Sequence, residues 1–293
     1  MMRANSIRPS AATRLWQLIK RINDDDIFGR AAQLSYYFLL ALFPLLLFLV
    51  SLLGYFVQSG SGFRDKLITY LAALMPSSAV TLVRNTLDEV SNSASSGKLS
   101  LGLLAALWAA SNGMGAISST LNTAYDVKET RPWWKVRLIS VALTIALAIL
   151  IISALAIVLY GGSIGDAITE GYGLGDQFRW FWGLMQWPIA LLFVLGTFNL
   201  IYNFAPNVRR QQRRWVTPGA LVGVALWLLV SFGFRIYLNF FDSYSVTYGS
   251  LGALIVLMLW FYFTGVAILI GGEINSAANE RREQGAALRA STK

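Results

Sequence analysis

What this chain lacks sets the chemistry open to it. Its 293 residues include no cysteine and no histidine, which excludes disulfides, thiolate nucleophiles, zinc held through Cys or His, and a histidine general base. Carboxylates, amides, hydroxyls and arginines must carry any function. Three groupings of these stand out. The stretch "ILIGGEINSAANERR" (268–282) sets an acid, Glu273, between Gly272 and Asn275, after a long apolar run and ahead of its arginines. Ser111, Gly115, Ser118 and Asn122 recur at i, i+4, i+7 and i+11, with Asn112 and Ser119 adjacent, so one helical face is small and polar. Ser231, Arg235 and Asn239 make a third stripe, downstream of the GxxxG pair Gly219 and Gly223.

Each grouping supports two readings. The face carrying Ser111, Ser118 and Asn122 either lines a substrate path or lets two helices approach and hydrogen-bond across the gap. Arg235 either snorkels to the headgroups or, with Asn239 and the nearby Tyr244 and Tyr248, holds a phosphate or carboxylate. Glu273 follows an apolar stretch, Leu251 to Ile270, that already supplies the ~20 residues a crossing needs, so it is expected about one turn into the interface. There an acid is ordinarily hydrated or paired, with Arg281 or Arg282 at hand. The two glycines argue for more, because they let another helix or a headgroup approach the carboxylate. No catalytic residue, metal or cofactor is expected. The acid run Asp24 to Asp26 reads as the cap of a following helix.

The elements that must position these residues are membrane helices. Hydrophobic residues make up 56% of the chain and charged residues 13%, against roughly 25% charged in soluble domains. Six windows are long and apolar enough to span: 33–57, 100–122, 138–160, 180–203, 217–240 and 249–272. Pro44 is expected to kink the first. The charged start lacks the apolar core and cleavage site of a removable signal, so the first span is expected to stay as an anchor. Eighteen Lys and Arg fall on the side of the two termini and five on the other, with Arg235 inside a span. Both termini are therefore expected in the cytoplasm. The net charge of +9 is accounted for by this asymmetry, and no nucleic-acid partner is expected.

The expected fold is all-α: a single polytopic membrane domain, 1–293. It comprises an N-terminal segment (1–30), a six-span bundle (33–272) with an outer helical loop (58–99), and a cytoplasmic tail (273–293). "AATRLWQLIKRI" sets Leu15, Leu18, Ile19 and Ile22 on one face, a helix for the inner membrane surface. The loop 63–95 is long for a connector, and its leucines and valines recur at helical spacing on either side of Pro76, predicting two amphipathic helices. Asn122, Asn199 and Asn275 lie 77 and 76 residues apart, the first two followed by Tyr125 and Tyr202. Three successive hairpins would produce that spacing, and so would chance.

Four blocks together carry a resemblance: "AAQLSYYFLLALFPLL" (31–46), "LWAASNGMGAISSTLNTAYDVKETRPWWKVRLIS" (107–140), "YNFAPNVRRQQRRWVTPGALVGVALWLL" (202–229) and "YGSLGALIVLMLWFYFTGVAILIGGEINSA" (248–277). They resemble the YihY/BrkB family of bacterial inner-membrane proteins over nearly the whole chain. The resemblance implies a six-span inner-membrane protein, under names that include a virulence or serum-resistance factor and an older label of ribonuclease BN. Its motifs fall on Tyr36, Tyr37, Phe43 and Pro44, on Asn122, Tyr125 and Arg131, on Pro206, and on Gly272, Glu273 and Asn275. Metal-dependent RNA cleavage needs a cluster of carboxylates or histidines, which this sequence does not offer. The expected function is transport or flipping of a lipid-linked or anionic envelope compound, with Ser111, Asn112, Ser118, Asn122, Asn199, Arg235, Asn239, Glu273 and Asn275 as candidates for its path. The alternative is a non-transporting scaffold. Expected partners are membrane lipids, lipid-linked envelope precursors or lipopolysaccharide, with a homo-oligomer left open.

Overall fold

The computed structural model describes residues 11–57, 98–172, 176–208, 216–240 and 244–291, with short pieces at 68–69, 84–85 and 88. Among the described residues the chain forms seven α-helices and no strand: α1 (Ala11–Asp24), α2 (Ile27–Val57), α3 (Lys98–Ala124), α4 (Trp133–Tyr172), α5 (Asp176–Phe204), α6 (Pro218–Phe240) and α7 (Tyr244–Ser291). The expected all-α class is what the described residues adopt. Four stretches are long and apolar enough to cross a membrane: Trp133–Asp166, Gln177–Phe204, Pro218–Tyr237 and Leu254–Arg282. They coincide with the last four expected windows. The first two windows fall on α2 and α3, of 31 and 27 residues, many of whose side chains lie outside the described residues. So does nearly all of the outer loop expected to hold two amphipathic helices. Helix α2 runs through Pro44, and α7 continues past residue 273 to Ser291.

Local sequence sets where the helices stop and start. Asp26 and Asp126 are the two described non-glycine residues with positive φ, 48° and 49°, and aspartate is among the few residues that enter this region readily. Asp126 closes α3 as a Schellman turn: its N–H donates to the Thr123 carbonyl and the Val127 N–H to the Asn122 carbonyl, both at 2.8 Å. Asp26 ends α1 and opens α2, its Oδ1 accepting the Gly29 N–H at 3.3 Å. The capping role expected of the Asp24–Asp26 run falls to this residue. Thr217 caps α6 in the same way, its Oγ1 accepting the Ala220 N–H at 3.2 Å, and Pro218 takes the first helical position, where its missing N–H costs nothing.

The helices divide into two compact units. One comprises Met1–Tyr36, Ser119–Glu129 and Pro206–Lys293, the other Tyr37–Ser118 and Thr130–Ala205. In the second unit α4 lies along α5, burying Leu143, Ala148, Ala190 and Phe198. In the first, α6 lies along α7 and α1 touches α7. Ala220 and Val224 of α6 and Ala267, Ile268 and Leu269 of α7 are buried, and the Trp227 and Trp260 rings meet edge to face at 6.3 Å. Leu229, Phe232, Ile255 and Leu259 point outward. Small residues inside and large apolar residues outside are the pattern of helices that pack in lipid.

Candidate functional site around Glu273

The first unit brings together three of the polar residues singled out from sequence, Glu273 and Asn275 of α7 and Asn122 at the end of α3. Gly272 eases the packing: a Cβ there would stand 2.7 Å from Leu121 Cδ2 and 3.7 Å from Ala124 Cβ, so glycine lets the last turn of α3 rest on α7 without displacing the Leu121 side chain. Three residues on, Asn275 is 2% exposed. Its Oδ1 accepts the Gly219 N–H at 2.7 Å and its Nδ2 donates to Thr217 Oγ1 at 3.1 Å. Asn275 thus completes the cap of α6 from the neighbouring helix, satisfying a backbone donor that Thr217 does not reach. Gly219 is the counterpart of this contact, because a Cβ on it would run into the Gly271 carbonyl oxygen.

Asn122 does similar work at the end of α3. Its side chain is 6% exposed, its Oδ1 accepts the Asn207 N–H at 2.7 Å, and its Nδ2 donates to Glu129 Oε2 at 2.9 Å. Asn207 Nδ2 donates in turn to the Lys128 carbonyl at 2.9 Å. Two of the three regularly spaced asparagines therefore fasten a distant backbone segment, Asn122 the later Asn207 and Asn275 the earlier Gly219. The third, Asn199, is half-buried and accepts locally from Asn203 Nδ2, through its carbonyl at 2.8 Å and its Oδ1 at 3.1 Å.

Glu273 lies between these anchors and is fully buried, at 0% exposure. Neither carboxyl oxygen accepts from an N–H or hydroxyl donor; its hydrogen-bonding neighbour is another carboxyl, that of Asp25. The charged groups acting on it are Asp25 and Arg21 from the α1 end and Glu280, two turns along α7. Arg21 is engaged elsewhere: its Nη1 donates to Glu280 Oε1 at 2.9 Å and its Nη2 to Glu280 Oε2. This forked pair ties α1 to α7, and the hydrogen bonds to Glu280 hold the Arg21 guanidinium above its ordinary pKa. Arg281 and Arg282, the neighbours expected from sequence, are exposed. Residue counting sets this acid in the interface, where it would ordinarily be hydrated; in the fold it is enclosed.

The remaining candidates lie elsewhere. In the second unit Ser118 Oγ donates to the Ala205 carbonyl at 2.6 Å, and Arg131 Nη2 donates to the same oxygen at 2.9 Å and to Ser118 Oγ at 3.3 Å. They close the end of α5, which Pro206 terminates. Ser111, at 0% exposure, donates to the Trp108 carbonyl one turn back at 2.7 Å, and exposed Asn112 accepts from Arg137 Nη1 at 2.6 Å. Ser140 of α4 lies beside Gly115, its Oγ 3.7 Å from where a Cβ would stand, an ordinary contact that alanine would also allow. Arg235 is exposed on α6, while the side chains of Asn239, Tyr244 and Tyr248 fall outside the described residues, as does Phe43. Tyr36 and Tyr37 are exposed on α2 and Pro44 is half-buried. Sequence reading missed the Arg21–Glu280 clasp and the contacts of Arg137. The first had a signal, since Glu273 and Glu280 share a helical face at i, i+7.

Long apolar helices with their polar side chains turned inward define a helical membrane protein. Residues 18–293 match the family described as Virulence factor BrkB, and the chain belongs to this YihY/BrkB family. The ribonuclease-like protein YfkH of Bacillus subtilis (strain 168) is 39% identical over 269 residues, covering 92% of this chain and 96% of that one. UPF0761 membrane proteins of Xanthomonas campestris pv. campestris (strain B100) and Xanthomonas oryzae pv. oryzae (strain PXO99A) are each 29% identical, over 283 and 286 residues. These matches take in 94% and 95% of this chain but only 62% and 63% of the Xanthomonas proteins. No solved structure matches the chain at a significant level.

Proposed function

We propose that this protein is a multi-pass protein of the bacterial inner membrane, with six spans and both termini cytoplasmic, that moves a lipid-linked or anionic amphiphile across the bilayer. One observation supports it above the rest: Glu273 is fully buried, no N–H or hydroxyl donor reaches its oxygens, and its hydrogen-bonding neighbour is a second carboxyl, Asp25. An ionisable side chain inside a membrane bundle is expensive and ordinarily marks a substrate or ion pathway. A residue kept for packing would have its oxygens satisfied, as those of Asn122 and Asn275 are. We read the chain as a carrier without catalytic chemistry. The ribonuclease-like name of YfkH finds no support in a sequence without histidine, whose clustered acid run supplies the cap between α1 and α2.

The scaffold reading has its own support. Ser111, Ser118, Asn122 and Asn275 are buried and spend their hydrogen bonds on backbone groups and neighbouring side chains, as packing residues do. Proteoliposomes containing a fluorescent phosphatidylglycerol separate the two. The wild-type protein is expected to expose inner-leaflet lipid to an external reductant, and Glu273→Gln to abolish that exposure while the protein remains folded and incorporated. No movement with wild type, or equal movement with Glu273→Gln, sinks the transport reading built on this residue.

A further inference from the structure

A groove on the second unit joins a fixed basic side chain to a wall of tryptophan and leucine. Leu104 and Trp108 of α3 and Trp133, Trp134, Arg137 and Leu138 of α4 line about 380 Å³. The three tryptophans are 54%, 75% and 57% exposed in chain order. Arg137 is held by neutral groups. Its guanidinium carbon stands 3.8 Å from the centre of the Trp108 ring, Nη1 donates to Asn112 Oδ1 at 2.6 Å, and Nη2 donates to the Trp108 carbonyl. The third nitrogen, Nε, is enclosed and meets no acceptor. Among the described residues no carboxylate forms an ion pair with Arg137, in contrast to Arg21 and Arg179.

A guanidinium fixed by uncharged partners, with its charge uncompensated, is built to receive an anion. The apolar wall beside it asks for hydrocarbon. A molecule that meets both demands carries its negative charge directly beside its acyl chains. We propose that this groove is a binding site for an anionic phospholipid, its phosphate at Arg137 and an acyl chain along Leu104, Leu138 and the tryptophans. Basic pockets between membrane helices bind anionic headgroups in this way. Lipid that merely coats the protein would touch the same apolar surface without distinguishing one headgroup from another. The site lies wholly in the second unit and does not depend on the role of Glu273.

The test uses the full-length protein equilibrated with equal amounts of phosphatidylglycerol and phosphatidylcholine of identical chains, with retained lipid counted by native mass spectrometry. Wild type is expected to retain phosphatidylglycerol about fivefold over phosphatidylcholine, the effect of one basic side chain at an anionic surface, and Arg137→Gln to bring the ratio close to one. Because Arg137 also ties α4 to α3, Leu104→Trp serves as an independent variant: it fills the groove, leaves the guanidinium in place and is expected to cut the preference as deeply. Equal retention of the two lipids by wild type overturns the proposal. So does a preference that survives Leu104→Trp, or that survives Arg137→Gln in a folded protein.

Discussion

Replacing Glu273 with methionine should stabilise the protein. The buried carboxyl accepts from no N–H or hydroxyl donor and its one hydrogen-bond contact is with the Asp25 carboxyl, so an apolar side chain of similar length removes a desolvation cost of about 1–3 kcal/mol at little loss. The expected outcome is a higher melting temperature in detergent; a fall would show that the carboxyl holds the fold together. Asn275→Ala should do the opposite, leaving the buried Gly219 N–H and Thr217 hydroxyl without their partner and lowering stability by about 1–3 kcal/mol. Thermal unfolding of the two variants side by side separates a residue kept for function from one kept for architecture. From the sequence these two could only be ranked together, as polar residues two apart near the end of one apolar run. Which of them is satisfied depends on α6, more than fifty residues away, and no local pattern reports that.

At the level of helices, the same glycine-to-alanine change should have opposite signs at two places on α6. At Gly219 the new methyl would meet the Gly271 carbonyl and the Asn275 side chain, an overpacking cost of about 1–3 kcal/mol. At Gly233 nothing lies within 4 Å, so alanine should gain about 0.5–1 kcal/mol by restricting the unfolded chain. Denaturation of the two variants checks both, and a loss at Gly233 as large as at Gly219 would disprove the packing account. Much at this scale was legible beforehand. Apolar windows placed the helices, and Gly219 with Gly223 marked a packing face. The ends were harder, because polar side chains no longer signal a stop once a helix leaves lipid: α4 starts five residues before its window and α7 runs nineteen past its own.

For the molecule as a whole, the distribution of lysine and arginine makes the decisive prediction. An even number of crossings with the basic segments inside leaves residues 130 and 210 on the cytoplasmic side. The chain has no native cysteine, so a single cysteine at Thr130 or at Arg210 reports its own side without background. Both are expected to resist a membrane-impermeant thiol reagent applied from the periplasm and to react once the cells are opened. Reaction at either position in intact cells would refute the six-span arrangement. The asymmetry of charge was open to inspection in the sequence because each loop carries its own share. The division into two compact units was not, since it depends on distant segments such as 119–129 and 206–293 coming together.

Helix α7 has 48 residues, which at 1.5 Å per residue is about 72 Å, more than twice the hydrocarbon thickness. A rod of that length acts as a lever. The clasp between Arg21 and Glu280 grips it two turns from Glu273, on the same unbroken segment, so a pull on the N-terminal helix reaches the buried acid as a slide or twist of the shaft itself.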